Sequence, residues 1–290
     1  MGRALKRGIT VGELASGLGL SLRGSSEDLI YRVDSADCSA PGSLCFAKNM
    51  AWASKVSASA VLLSAADCVV DRTGPTLVTL QPRLDFARAL GLLESMSGFV
   101  WSEDEPVIHP SARIGRNVVL GRGVRIGAET VIHHNVVIGD EVVIGARCVV
   151  KSCAVIGEDG FGFERDAQGK AVRLPHIGTI VIGDDVEVGS LTTVCRGTLV
   201  DTVLHDGCKI DDHVHIAHNV DVGEDAFVIA CAEISGGVKI GPRSWIAPNA
   251  SVLNQLSIGA DAVVGLGGVV VKSVPDRAVV AGNPAKPLVR

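Results

Sequence analysis

Residues 211–219 read DDHVHIAHN, two carboxylates followed by His213, His215 and His218. Three imidazoles this close in sequence raise two chemistries. A metal ion would need three ligands around a common point at about 2.0–2.1 Å. A general base would need one histidine whose second ring nitrogen is held by an acceptor, so that its tautomer is fixed. Alternation with Val214 and Ile216 places His213 and His215 on one face of an extended segment, while His218 lies two positions beyond Ile216. Which chemistry is open depends on what stacks beside this segment.

The surrounding chain has a period. From residue 106 an aliphatic side chain recurs every sixth position, at Ile108, Ile114, Leu120, Ile126, Ile132, Ile138, Ile144, Val150 and Ile156. Residues 157–179 break the pattern. It resumes at Ile182, Val188, Val194 and Val200, slips by two residues, and continues from Leu204 through Ile216 and Ile234 to Val270. A period of six, with Gly or another small residue beside the aliphatic position, is the hexapeptide signature of a parallel β-helix. Each hexad makes a short strand and a corner, and three close a triangular coil of about eighteen residues, giving about eight coils. The expected fold class is mainly β: a parallel β-helix over residues 106–272, a tail over 273–290, and a small α/β domain over 1–105.

The first 105 residues lack the period. TVGELASGLGL opens with a capping box, Thr10 and Glu13, and carries Val11, Leu14 and Leu18 on one helical face before Gly19. VSASAVLLS and TLVTLQP read as strands and DFARALGLLESM as a second helix. The charged, Pro-terminated stretch WSEDEP, residues 101–106, reads as the linker.

The eighteen-residue repeat bears directly on the histidines. Position 200 is Val and position 236 is Gly, so the neighbouring coils offer His218 no second or third metal ligand, and no metal is expected. Gly236 stacked beside His218 offers a different kit: an unobstructed N–H to hold an oxyanion next to an imidazole that takes a proton. Asp211 is the candidate to orient that imidazole. At this point a solvated corner histidine beside a packing glycine explains the spacing as well.

Composition excludes some classes. With 47% hydrophobic and 20% charged residues the chain can bury a sizeable core, and a net charge of −5 gives no electrostatic case for nucleic acid. Aromatics are only 3%, which suits small and β-branched repeat positions. The eight cysteines show no CxxC, and MGRALKRGITVGEL places Glu13 where a signal peptide needs an apolar run; both point to reduced thiols in the cytoplasm. No stretch approaches the roughly 18 apolar residues of a membrane span.

The stretches ADCSAPGSLCFAKNMAW, VIGEDGFGF, RLPHIGTIVIGDDVEVGSLTTVCRGTLVDT and KIDDHVHIAHNVDVGE closely resemble the UDP-3-O-(3-hydroxyacyl)glucosamine N-acyltransferases of lipid A synthesis, collinearly from about residue 10 to 285. The resemblance implies a left-handed β-helix, an exception to the usual right-handed crossover, and a homotrimer with sites between neighbouring β-helices. It implies that His218 is the general base with Asn219 in the same site, and that the oxyanion N–H is that of Gly236. It implies a uracil site in the N-terminal domain at Phe46, Asn49 and Trp52, where Trp replaces the family's usual Tyr and keeps a stacking face. Two features depart from the family pattern. Gln255, in NQLSI, stands where a second active-site histidine is usual, and VVAGNPAKPLVR resembles the tail of acetyl-CoA-dependent hexapeptide acetyltransferases in place of C-terminal helices.

The expected activity is transfer of an acyl group from a thioester, acyl-CoA or acyl carrier protein with a short acyl-CoA favoured, to the amine of a UDP-linked amino sugar, without a cofactor. Two alternatives stand beside it: a zinc-dependent enzyme like the γ-class carbonic anhydrases, and a β-helix that binds nucleotide sugars without turnover.

Overall fold

The computed structural model describes residues 2–68 and 72–288. The chain forms two compact units. The first comprises the residues up to Val100 with Gly162–Gly178 and Thr198–Val200; the second comprises Trp101–Phe161, Thr179–Gly197 and Asp201 onward.

In the first unit β1 (Arg3–Thr10) runs straight into α1 (Val11–Leu18), and the switch is written in the capping box. The Thr10 hydroxyl accepts the Glu13 N–H while the Glu13 carboxylate accepts the Thr10 N–H, satisfying two of the free donors at the helix start. Gly19 ends the helix at φ 65°, the left-handed conformation that costs glycine least. The following strands are β2 (Ser21–Arg23), β3 (Leu29–Val33), β4 (Ser43–Ala47), β5 (Val61–Ser64) and β6 (Thr76–Val78). With β1 they form one sheet in the order β1-β3-β4-β5-β6-β2. The β3-β4-β5-β6 pairs are parallel and both edge pairs antiparallel. The short helix α2 (Met50–Ala53) follows β4, and α3 (Pro82–Met96) buries Leu84, Phe86, Leu90 and Leu93. The non-periodic stretch contributes a hairpin, Phe163–Arg165 with Ala171–Arg173, whose Glu164 carboxylate meets the Arg83 guanidinium of α3 at 2.5 Å.

The second unit is a left-handed parallel β-helix with three faces, sheets of eight, ten and eight strands. Most strands are two residues long: the inner residue is buried and its neighbour faces out, so one hexad supplies one core side chain. Ile132, Ile138, Ile144, Val150 and Ile156 through Ile216, Ile234 and Val252 form one continuous column. At roughly 1.5–3 kcal/mol per fully buried aliphatic side chain, this column is the main stabilising element. Corners turn through left-handed residues, many of them Asn or Asp, whose short polar side chains tolerate φ near +60°. Corner carboxylates also accept backbone N–H groups from the coil below, as Asp184 does from Ala146 and Asp212 from Ser190, at 2.8 and 2.7 Å.

Two features differ from the expected register. Val200 is not a core position: it is 38% exposed, and Ile182 pairs with Leu204, so this coil carries extra residues and the two-residue slip is an insertion. The stack also continues beyond 272, since Val274 and Val280 are buried opposite Ile258 and Val264, closed by Lys286–Pro287 antiparallel to Val279–Ala281. Among the described residues no helix is long and apolar enough to cross a membrane.

Candidate active site

His218 sits at the corner after strand His215–Ile216 and before strand Asp221–Val222, half-buried. Ile216 and Val220 are fully buried on either side and anchor the corner from below. The next residue, Asn219, turns the chain at φ 60°; its N–H donates to the buried Thr202 hydroxyl at 2.9 Å. The Asn219 Oδ1 lies 3.0 Å from His218 Nδ1. An amide oxygen only accepts, so this contact places the proton on Nδ1 and leaves Nε2 as the ring nitrogen that carries the lone pair, the tautomer a base requires.

One coil on, Gly236 lies flat against the imidazole. A Cβ at 236 would fall 2.6 Å from His218 Cε1 and 2.7 Å from Nε2, so any side chain there would displace the ring. The coils are pinned by Gly237 N–H donating to the His218 carbonyl at 2.9 Å, and Gln255 N–H donating to the Gly236 carbonyl at 3.0 Å. Among the described residues nothing accepts the Gly236 N–H. A buried glycine N–H without an acceptor, beside an imidazole whose lone pair is on Nε2, is an arrangement that can support a developing oxyanion. Gln255, also a left-handed corner residue, directs its side-chain amide to the Gly236 carbonyl at 3.4 Å, so His218, Gly236 and Gln255 occupy three successive levels of one edge.

Asp211 does not orient His218. Its carboxylate accepts the Ala230 N–H at 3.2 Å, and the imidazole's Nδ1 meets Asn219. The reason is the period: seven residues carry the chain past a strand to the next corner, whereas neighbours along an edge are reached one coil away. Asp211 instead borders a surface depression of about 410 Å³ with Lys209, Phe227 and Ile229. His213 is a corner residue at φ 59° and His215 points outward from its strand; both are exposed. Among the described residues no three His, Cys, Asp or Glu side chains cluster as ligands.

The expected nucleotide residues lie in the first unit. Phe46, near the end of β4, stacks one face on Phe86 of α3 at 4.6 Å between ring centroids, with 29° between planes. Asn49 caps α2, its Oδ1 accepting the Trp52 N–H at 3.1 Å. Trp52 is 39% exposed, with the Lys55 ammonium 4.4 Å from its ring centroid. The cap fixes Asn49 and Trp52 to one turn, so the exposed indole and the amide nitrogen of Asn49 share a small surface.

A profile of bacterial transferase hexapeptide repeats (six repeats) matches residues 123–158. A UDP-3-O-acylglucosamine N-acyltransferase of Dechloromonas aromatica (strain RCB) is 39% identical over 254 residues, 79% of this chain and 73% of that protein. One of Coxiella burnetii (strain RSA 493 / Nine Mile phase I) is 33% identical over 267 residues, 80% of this chain and 76% of that one. The chain belongs to the UDP-3-O-acylglucosamine N-acyltransferase family. As a UDP-3-O-acylglucosamine N-acyltransferase family member it is an acyltransferase. Solved structures extend the likeness: a UDP-N-acetylglucosamine O-acyltransferase of Moraxella catarrhalis RH4 matches with TM-score 0.55 and 27% identity over 63% of this chain and 72% of that one. LpxA from Acinetobacter baumannii matches with TM-score 0.59 and 23% identity over 65% and 71%, a likeness of fold.

Sequence reasoning missed Thr202 as a support of the corner that carries His218 in this N-acyltransferase family member. Thr202 reaches Asn219 from the preceding coil of regular length, at an offset of 17 residues that lies one short of the stacking partner, so the eighteen-residue rule passes over it. Glu233 and Ser235 were also missed, although both precede Gly236 at outward positions that the hexad pattern marks.

Proposed function

We propose that this N-acyltransferase uses His218 as general base and the Gly236 N–H as oxyanion donor in moving an acyl group from a thioester to the amine of a UDP-linked amino sugar. The observation that carries the assignment is the imidazole lying against Gly236 with Nδ1 held by Asn219. The neutral amine attacks the thioester carbonyl as His218 Nε2 takes one of its protons. The carbonyl oxygen becomes an oxyanion at the Gly236 N–H; the C–S bond then breaks and His218 gives the proton to the departing sulfur. Asn219 holds the tautomer and Gln255 steadies the Gly236 peptide from the next coil.

The first unit supplies uridine recognition through Phe46, Asn49 and Trp52. Trp52→Ala should weaken UDP binding by about 1 kcal/mol or more, the usual worth of an aromatic stack, and the loss should appear mainly in KM. Titration calorimetry with UDP checks this; unchanged affinity in both Phe46→Ala and Trp52→Ala would rule the site out.

The donor we propose is a short acyl-CoA. An acidic carrier protein calls for a basic landing surface, and beyond residue 270 the described cations are Lys272, Arg277 and Lys286 against Asp276, a modest surplus. Gln255 in place of a second histidine points the same way. The test offers the purified protein acetyl-CoA and 3-hydroxyacyl carrier protein in parallel, with a panel of UDP-amino sugars. Product from acetyl-CoA is expected; product from the carrier protein alone overturns the donor and leaves the His218 assignment standing.

The same reading makes the enzyme a cytoplasmic homotrimer. It is supported by free thiols throughout, with burial pushing Cys45 and Cys208 up to about 12, and by the exposed Phe227–Trp245 pair, ring centroids 5.5 Å apart on an outer face.

A further inference from the structure

The strand Glu233–Ile234 leads through Ser235 into Gly236. Ile234 is fully buried, so the flanking Glu233 and Ser235 side chains both point outward, on the last step before the oxyanion glycine. The Ser235 hydroxyl lies 3.1 Å from each Glu233 carboxylate oxygen, which draws the carboxylate along the strand toward the Gly236 and His218 corner. Glu233 is half-buried, and its strand neighbours on the adjacent coils are His215 and Ser251. Among the described residues no cation meets the carboxylate; Ser235 is its hydrogen-bond partner.

A carboxylate in this position opposes the negative charge that develops at the Gly236 N–H, so the oxyanion gives it no role. It keeps most of its acceptor capacity and, partly desolvated, favours a positive partner. The reaction provides one. An amine of ordinary basicity, with a pKa of about 8, arrives largely as ammonium at neutral pH.

We infer that Glu233, aimed by Ser235, receives the ammonium of the acceptor and makes the site select an amino sugar over its hydroxyl counterpart. The inference rests on the reading of His218 and Gly236 as the reacting centre. The ammonium carries one proton more than the attacking amine. That proton leaves to bulk water before attack; the next passes to His218 as the C–N bond forms, and reaches the sulfur as the C–S bond breaks. Glu233 therefore strengthens binding and does nothing for the attack itself, so its removal should raise KM more than it lowers kcat.

The experiment measures binding of UDP-glucosamine and UDP-glucose, which differ in the C2 amine against hydroxyl, to the full chain by calorimetry. The wild type is expected to prefer UDP-glucosamine about ten-fold at pH 7, in line with a charge-assisted hydrogen bond, and to lose that preference above about pH 9, where the amine is neutral. Glu233→Gln should bring the two sugars level by weakening the amino sugar alone, and Ser235→Ala should fall between. Equal binding of both sugars by the wild type overturns the inference, as does wild-type affinity for UDP-glucosamine in Glu233→Gln. A loss shared equally by both sugars does the same. Should Glu233→Gln fail to fold, the wild-type pH dependence and Ser235→Ala decide. His218→Ala separates the two readings: full turnover in that variant removes the assigned base, whereas a preference unaffected by Glu233→Gln removes only the ammonium site.

Discussion

His218→Ala should lower turnover by roughly 10²–10⁴, the usual contribution of a positioned general base. The fold should be unaffected, because the side chain is half-buried at a corner and the flanking core residues Ile216 and Val220 remain. UDP affinity should also hold, since the residues proposed to bind uridine belong to the other unit. His213→Ala is the control: that imidazole is exposed, and its loss should change turnover little. Steady-state kinetics on the productive donor and acceptor pair decides the matter, and turnover within a few-fold of wild type in His218→Ala would sink the assignment.

Gly236→Ala should be nearly as damaging to activity while leaving stability almost intact. The new methyl would sit 2.6 Å from the imidazole Cε1. The corner side chain gives way more easily than the backbone, so the ring swings out and the fold survives. Displacing a catalytic group by about 1 Å can cost on the order of 10²-fold in rate, and the methyl also crowds the N–H meant for the oxyanion. Comparing kcat with the thermal midpoint of the same variant checks this. A variant with normal kcat would show that Gly236 serves packing alone. Gly237→Ala should fail differently: at φ 70° the backbone itself disfavours a side chain, and the new methyl would collide with the Gln255 amide, so stability should fall first.

The β-helix was legible because its cause is local: one aliphatic side chain per hexad, with the coil length following from three hexads. The same arithmetic placed Gly236 beside His218, since edge neighbours sit one coil apart. It failed where a coil departs from eighteen residues. Val200 kept the period by coincidence while the chain was making an inserted loop, so that Ile182 pairs with Leu204 and Val200 stands exposed. Asp211 failed for another reason: nearness along the chain was taken as nearness in space, and a corner lies between the two residues. The group that meets Nδ1 is the neighbouring residue, Asn219, which the resemblance implies belongs to the same site, and the contact is visible only once side chains are placed. Glu233 carried no motif at all, and only its bond to Ser235 shows where it points.

The two ends of the coil stack are finished differently, and this sets a direction for how the molecule comes apart. At the first coil, Ile108 and Ile114 stand at inward positions yet are 39% and 38% exposed, whereas the last coil is closed by the antiparallel strand Lys286–Pro287. In a linear array each coil leans only on its neighbours, so opening begins at the less protected end and spreads inward one coil at a time. Amide exchange should therefore be fastest around residues 107–120 and slow by the coil that carries Ile216, whose side chain is fully buried. The corner bearing His218 lies well inside the array, with several coils as a buffer on the side that frays. Loss of order at the leading coils can then proceed some way before the packing of His218 on Gly236 is touched.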